Sequence, residues 1–257
     1  MSSIKSFLAT TAVVLTLPLA ACSQETTATD ALPKEQIETI VRDYILNNPK
    51  IVIEAINKYQ SIRQAEANAK KRDVLTSMSS SLKNNPNDPV IGNPDGDLTV
   101  VEFFDYRCGY CKKVFPDVQK LIKSDGNIRY VMKEFPILGP QSVYASRAAQ
   151  AVWLHQSDKY HAFHTAMMLN RGGLGKGKVM DLAKNSGVDI DALKDQMDDP
   201  IIQKTFDATV EQAKALGISG TPAFIFGNDI APGAISLASM IDMTVAARKK
   251  ANKKDSN

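Results

Sequence analysis

Two cysteines three positions apart carry the most reactive chemistry in this sequence. Cys108 and Cys111 enclose Gly109 and Tyr110, at the point where a strand-like stretch gives way to a helical pattern. Two thiols at this spacing can close a small disulfide ring, and a helix N-terminus stabilises a thiolate at the first position. The spacing therefore predicts a redox pair. Cys108 is the nucleophile, and Cys111 is the resolving thiol that releases the substrate from a mixed disulfide.

Metal binding is the other chemistry open to paired thiols. It usually needs further Cys or His ligands, and the sequence offers no second cysteine pair. His161 and His164 stand three apart on a predicted helix, but we interpret them as packing residues. His155, beside Trp153, is interpreted as a surface or packing residue. The sequence thus predicts no metal and no cofactor, with a soft two-thiolate copper site kept as an alternative.

The third cysteine, Cys22, ends an N-terminal targeting segment. Residues 1–21 place Lys5 before an apolar stretch and small residues, the layout of a secretory signal, and the stretch is short for a membrane-spanning helix. The run LAAC that ends at Cys22 resembles the bacterial lipobox, which implies lipidation of Cys22 and anchoring to the envelope. Ser23 follows it in place of Asp, which favours the outer membrane. An ordinary signal peptide with an incidental cysteine is the alternative.

Composition excludes several classes of protein. The chain has 257 residues, of which 44% are hydrophobic and 23% charged, as in ordinary soluble domains. Three cysteines are too few for a disulfide-stapled fold. The net charge of +3 is concentrated in a basic C-terminal run, so nucleic acid is not expected as a partner.

A tether and two helices are predicted to follow the targeting segment. Residues 22–33 have nothing to bury and form a flexible tether. Helices are expected over 33–47 and 50–76, followed by a linker over 77–97. The first helix has a stripe of apolar residues at helical spacing: Ile37, Ile40, Val41, Tyr44 and Ile45. Such a stripe outside the main domain favours a homodimer or homotrimer through residues 34–76. The alternative is that it packs back on its own catalytic domain.

A different pattern begins at Leu98. A strand over 98–106, a helix over 109–124 and a strand over 127–135 precede a helical block over 141–216. A short strand over 223–226, a turn at Asn228–Asp229, a last strand and a helix over about 236–250 end the chain. This order predicts an α/β layer domain with a helical insertion.

Several motifs together resemble the DsbA-like branch of the thioredoxin superfamily. They are the run VVEFFDYRCGYCKKVFP, the tripeptide Gly220-Thr221-Pro222, and the segments FPILGP and YHAFHTAMM. The resemblance covers about residues 88–250 and implies a thioredoxin fold over 88–257 with a helical insertion at about 139–216. Residues 34–87 resemble the helical extension and linker of ScsC-like and Com1-like relatives, to which the chain is most similar.

The resemblance also implies roles for particular residues. Thr221 and Pro222 form a cis-proline loop that contacts substrate beside the disulfide, together with Gly109 and Tyr110. Glu102 lies six residues before Cys108 and matches an acidic residue that relays protons to the buried thiol. The alternative for Glu102 is a carboxylate without a role. A pairing of Lys133 with Glu102 across the sheet is a weaker expectation.

The implied function is disulfide exchange in the periplasm on unfolded or misoxidised exported proteins, with a membrane redox partner. The dipeptide Gly109-Tyr110 and the Thr221 before Pro222 resemble isomerases of the DsbC type, so isomerase or reductase activity is favoured. The alternatives are a DsbA-type oxidase that introduces disulfides, a copper-handling envelope protein, and a structural lipoprotein with a vestigial motif.

Overall fold

The computed structural model describes residues 32–254. The predicted signal peptide, the lipid attachment at Cys22 and most of the tether lie outside the described residues. The chain divides into two compact units, one up to Tyr59 and one from Gln60 onward. The boundary at 87/88 between the helical region and the thioredoxin domain stays a prediction.

The described part of the first unit is helical. Helix α1 spans Lys34–Asn47 and helix α2 begins at Lys50 and continues to Ser77 in the second unit. Both agree with the predicted helices. Pro33 precedes α1 as the N-cap residue, and no residue of α1 is buried. The predicted apolar stripe is therefore open to solvent, with 57% of Ile40 and 59% of Tyr44 exposed.

The second unit is built on a five-stranded sheet in the order β1-β3-β2-β4-β5. Its strands are β1 (Val90–Gly92), β2 (Leu98–Phe104), β3 (Ile128–Glu134), β4 (Ala223–Phe226) and β5 (Asp229–Pro232). Strands β2 and β3 are parallel, because a helix carries the chain back between them, and the other pairs are antiparallel.

Eight further helices surround the sheet in the described part of the second unit. They are α3 (Ser79–Lys83), α4 (Gly109–Asp125), α5 (Pro140–His155), α6 (Ser157–Leu169), α7 (Lys176–Asn185), α8 (Ile190–Gln196), α9 (Pro200–Leu216) and α10 (Leu237–Lys254). Helices α5 to α9 form the predicted insertion between the two halves of the sheet. The expected α/β fold, a thioredoxin fold with a helical insertion and a preceding helical region, is confirmed.

Side chains alternate between the two faces of the sheet and form two cores. On one face, Val100 and Phe104 pack in a large core with the two cysteines of the motif. On the other face, Val101 and Phe103 pack in a smaller core. The first face thus positions the cysteines.

The smaller core also takes in residues expected to lie outside the domain. Leu75 of α2 and Leu82 of α3 are buried in it, although residues 34–87 were expected to form an extension and linker before the domain. The predicted linker over 77–97 contains α3 and β1. Both elements are short and lack a periodic pattern long enough to be detected. Their secondary structure therefore depends on packing against the rest of the domain.

The hairpin turn lies one residue earlier than predicted. It consists of Gly227 and Asn228, and Asp229 already belongs to β5. Gly227 has a φ of 61°, which glycine adopts without strain. Among residues 32–254, no helix combines the length and the apolar character needed to cross a membrane.

Candidate active site

Cys108 occupies the N-cap position of α4, immediately after the loop that follows β2. Its sulfur accepts a hydrogen bond from the backbone N–H of Cys111 at 3.4 Å. The same Sγ lies 3.2 Å from the carbonyl oxygen of Thr221. Strand β2, helix α4 and the loop before β4 thus meet at one sulfur atom. The two cysteines are free thiols in this structure.

The two thiols have opposite acid–base character. Hydrogen bonding with Cys111, then with Thr221 and the N–H groups of the first helical turn, lowers the pKa of Cys108 to about 5. Burial raises the pKa of the Cys111 thiol, and the hydrogen bond to Cys108 and the charge of Glu102 add to the rise. Near neutral pH, Cys108 is therefore a thiolate and Cys111 a protonated thiol.

Cys108 itself is only 6% exposed, but the two residues that follow it on the first turn of α4 are open to solvent. The Thr221–Pro222 peptide bond is cis. Tyr110 is 65% exposed, and a side-chain atom added at Gly109 would meet no atom within 4 Å. The residues expected to contact substrate therefore surround the sulfur, two on the loop before β4 and two on the first turn of α4.

Glu102 lies in the middle of β2 on the same face as the cysteines. It is buried, and the hydroxyl of Tyr130 donates a hydrogen bond to its Oε2 at 2.7 Å. Burial raises the pKa of Glu102 to about 7, while the bond from Tyr130 opposes the rise. A carboxyl group with a pKa near 7 can exchange protons readily at neutral pH.

The expected pairing of Lys133 with Glu102 is wrong. Lys133 lies opposite Phe103 in the register of β2 and β3, so it points to the other face of the sheet. There it forms an ion pair with Asp88, and both side chains are buried. The ammonium also donates to the carbonyl of Ser81 at 3.3 Å. Pattern alone placed two opposite charges on adjacent strands but did not fix their relative register.

A buried polar residue beside the motif was missed by the sequence analysis. Asp105 follows β2 directly and accepts hydrogen bonds from the backbone N–H of Arg107 and Leu138 and from the hydroxyl of Ser142. Arg107 in turn donates to the carbonyl of Leu138. These bonds fasten the segment before α5 to the loop that carries Cys108. The only sequence signal for them was a carboxylate at the end of an apolar strand.

Lys112 is a second missed residue. Its ammonium donates to the backbone carbonyls of Met167 at 2.6 Å and Asn170 at 3.0 Å, at the end of α6. Carbonyls at a helix C-terminus have no partner inside the helix, so a cation stabilises them. Burial lowers the pKa of Lys112 to about 8. The contact joins the active-site helix to the insertion.

The histidines do not form a cluster. His164 is buried, and its Nδ1 lies 2.8 Å from the hydroxyl of Tyr106, while burial lowers its pKa to about 3. His161, on the same helix, is exposed. The Nε2 of His155 lies 3.0 Å from the carboxylate of Asp199. Within the described part of the chain, no three His, Cys, Asp or Glu side chains are placed to share a metal ion.

Comparison with known families agrees with this geometry. A thioredoxin family model matches residues 84–243, and the model of the copper resistance protein ScsC N-terminal domain matches residues 34–66. Disulfide bond formation protein D of Bacillus subtilis is 30% identical over 155 residues, covering 55% of this chain and 68% of that protein. The chain spans only 21% of another curated relative, the Na(+)/H(+) antiporter NhaA 1 of Salinispora arenicola.

Solved structures show the same relationship. A thioredoxin-like oxidoreductase from Silicibacter pomeroyi is 41% identical, with a TM-score of 0.64 over 66% of this chain and 97% of that one. A linker-deletion variant of Proteus mirabilis ScsC is 27% identical, with a TM-score of 0.64 over 88% of this chain and 99% of that one. The chain therefore belongs to the thioredoxin superfamily, as a DsbA-like member close to ScsC, in a class of periplasmic thiol–disulfide oxidoreductases.

Proposed function

We propose that the protein exchanges disulfides in exported proteins through Cys108 and Cys111, and that it acts mainly as an isomerase or reductase. The observation that carries the exchange chemistry is the asymmetry of the two thiols, and the residues Gly109, Tyr110 and Thr221 favour its direction. The pKa of Cys108 is lowered to about 5 at the start of the exposed first turn of α4, and burial raises the pKa of Cys111. A pair with one ready nucleophile and one withheld thiol is suited to two sequential attacks.

The reduction cycle begins with the Cys108 thiolate. It attacks one sulfur of a client disulfide, forms a mixed disulfide, and expels the other client sulfur as a thiolate, which takes a proton. Cys111 then loses its proton to Glu102 and attacks the sulfur of Cys108. The client leaves as a dithiol, reduced by two electrons, and the enzyme holds a Cys108–Cys111 disulfide. A dithiol redox partner at the membrane then returns the enzyme to the reduced state.

Isomerisation uses only the first of these steps. The expelled client thiolate attacks another client disulfide, and a client thiolate formed in this way attacks the mixed disulfide. This attack restores the Cys108 thiolate, so no electrons are gained or lost overall. Thr221 and Pro222 are proposed to hold the client backbone in extended form during the exchange, and Gly109 and Tyr110 are proposed to contact it from the first turn of α4.

Oxidase activity is the second candidate, and the low pKa of Cys108 favours it. A stabilised thiolate makes the reduced enzyme more stable and its disulfide a stronger oxidant. The motif nevertheless has Gly109-Tyr110 and no histidine between the cysteines, which distinguishes it from strong oxidants of the family. The direction of exchange therefore needs a direct test.

Parallel assays of one preparation separate the directions. We expect reactivation of scrambled ribonuclease and reduction of insulin, and Cys108 and Cys111 mainly reduced in cells by thiol trapping. Cys108→Ser should abolish both activities and leave no pair that can be oxidised. Ser124→Ala on the same helix should change none of the three readouts. Oxidation of reduced ribonuclease without any reshuffling, with the pair mainly oxidised in cells, would support the oxidase instead.

Copper handling is a candidate from another class, because the family that matches residues 34–66 is described as a copper resistance protein domain. Two thiolates would supply a soft site for Cu(I) as cargo. Tight binding of one Cu(I) per chain that needs both cysteines, without disulfide exchange activity, would favour this function.

We further propose that residues 34–76 join two or three copies of the chain. Each side chain of the α1 stripe is at least 38% exposed, and burying the exposed part of such side chains stabilises by about 1 kcal/mol each. A shared space between active sites would suit repeated attack on one client. The double variant Ile40→Glu/Tyr44→Glu should be monomeric by analytical ultracentrifugation. Arg42→Glu, on the opposite side of α1, should keep the wild-type mass, and a monomeric wild type would refute the proposal.

We also propose that residues 1–21 form a signal peptide and that Cys22 carries a lipid anchor to the envelope. Mass spectrometry of the mature protein should show cleavage after Ala21 and a diacylglyceryl group on Cys22. An unmodified Cys22 in the mature chain would refute this part of the proposal.

A further inference from the structure

A pocket of about 440 Å³ lies beside the cis peptide bond, entirely within the second unit. One wall is the segment from Leu216 to Ala223, which connects α9 with β4. The facing wall is the second half of α2, and the turn between β4 and β5 closes a third side. None of the residues that carry the disulfide chemistry requires such a pocket, so it calls for a separate explanation.

The pocket adjoins the loop that contacts the reactive sulfur. Thr221 and Pro222 line it, and the carbonyl oxygen of Thr221 is the atom that lies 3.2 Å from Sγ of Cys108. A client chain joined to Cys108 by a disulfide and extended along Thr221 and Pro222 therefore passes the mouth of the pocket. A client side chain close to the bonded cysteine is the group that would enter it.

The charge of the pocket is positive. Lys71 and Arg72 of α2 line it, both are exposed, and neither takes part in an ion pair among the described residues. The only carboxylate in its described lining, Asp229, is bound by the ammonium of Lys250. Two cations thus face a pocket whose one anion already has a partner.

The position of Lys71 directs its charge into the pocket. Its side chain crosses Gly217, where an added Cβ would lie 3.8 Å from the Lys71 Cε. Leu75, one turn further along α2, is buried in the core of the second unit and holds this part of the helix in place. The cations therefore stand on a fixed wall and not on a free helix.

From this geometry we infer that the pocket is a client subsite that selects an acidic side chain next to the reacting cysteine. The inference rests on the proposed function of Cys108. Its chemistry is the pairing of an Asp or Glu carboxylate with Lys71 and Arg72, which adds attraction at the mouth of the active site and sets an order of preference among clients. Helix α2 thereby contributes to recognition as well as to the connection with α1.

Two model peptides test the subsite. Each carries one cysteine in a mixed disulfide with 2-mercaptoethanol. The two peptides differ only at the two positions beside the cysteine, which are Glu in one peptide and Lys in the other. We expect the wild type to reduce the Glu peptide about five- to tenfold faster in kcat/KM at low salt, and the difference to shrink in 0.5 M salt. Equal rates for the two peptides would overturn the inference.

Charge variants locate the effect. Lys71→Glu/Arg72→Glu should invert the preference, and Lys71→Gln/Arg72→Gln should remove it. Lys70→Glu reverses one positive charge on the same helix at a residue that does not line the pocket, so it should keep the wild-type preference. An unchanged preference in the charge-swapped variant would overturn the inference. Hydroxyethyl disulfide has no charge, so its reduction tests the proposed function without the subsite. Failure of the wild type to reduce it would refute the proposed function itself.

Discussion

Two of the buried carboxylates, one on each side of the central sheet, have different partners. Glu102, on the face of the cysteines, receives a hydrogen bond from the neutral hydroxyl of Tyr130. Asp88, on the other face, pairs with the cation of Lys133. Burial raises the pKa of both acids, but only Asp88 has a buried cation that opposes the rise. The charge of the partner thus separates a carboxyl group poised for proton transfer from one that fastens the fold.

The difference follows from where each pair is anchored. Lys133 also reaches the carbonyl of Ser81, so the ion pair ties the segment from α3 to β1 to the sheet. Tyr130 and Glu102 lie on neighbouring strands of the sheet, and their hydrogen bond connects no other segment to it. Changes on one face should therefore act on stability, and changes on the other should act on the pH dependence of the reaction.

The largest expected effect is on the stability of the ion-paired face. Lys133→Met leaves Asp88 buried without a cation, and breaking a buried pair in this way costs about 3–5 kcal/mol. Urea unfolding monitored by circular dichroism measures the loss. The pH profile of disulfide reduction should stay as in the wild type for the molecules that remain folded. Asp88→Asn added to Lys133→Met should recover part of the loss, and a loss below about 1 kcal/mol would instead fit a solvated pair.

The next effect is on the rate of the resolving step. Glu102→Gln cannot accept the Cys111 proton, so release of a preformed mixed disulfide near pH 7 should slow about 10²-fold. Stopped-flow release of a fluorescent thiol measures this step. The exposed Glu211→Gln is the control and should behave as the wild type. Equal release rates in Glu102→Gln and the wild type would leave Glu102 without a role in proton transfer.

The same variant should change how stability depends on pH. The folded carboxyl group of Glu102 has a pKa of about 7 against an ordinary value of 4.5, so it binds its proton more tightly when folded. The wild type therefore loses stability as the pH rises from 4.5 to 7, by about 3 kcal/mol relative to Glu102→Gln. If the difference in the free energy of unfolding between the wild type and Glu102→Gln were the same at all pH values, the burial of an ionisable group at this position would be contradicted.

A smaller effect is expected from the neutral donor. Tyr130→Phe removes the hydrogen bond that opposes the rise in the pKa of Glu102. The pH midpoint of mixed-disulfide release should therefore move upward by about 1, the equivalent of one hydrogen bond to a charged group. A midpoint that stays in place would mean that Tyr130 does not influence Glu102. A downward movement would reverse the assigned sign.

The contrast between the faces also shows what the sequence can predict. Glu102 lies between Val100 and Phe104 in a strand that the sequence predicts, so the period of two explains its place on the face of the cysteines. The thiol pair, the helix that follows it and the insertion were predicted from patterns that are local in the chain. The pairing of Lys133 was not, because it depends on Asp88, 45 residues away in a segment whose order comes from packing. The bonds of Asp105 and Lys112 were missed for the same reason.

The contrast between Cys108 and Cys111 is the central claim, and the pH dependence of alkylation tests it most directly. Limiting iodoacetamide, with the modified residues located by mass spectrometry, reports the thiolate fraction at each cysteine of the reduced protein. We predict modification at Cys108 with a midpoint near pH 5 and none at Cys111 over the same range. A midpoint for Cys108 near its ordinary value of 9.0, or equal modification of both cysteines, would contradict the account.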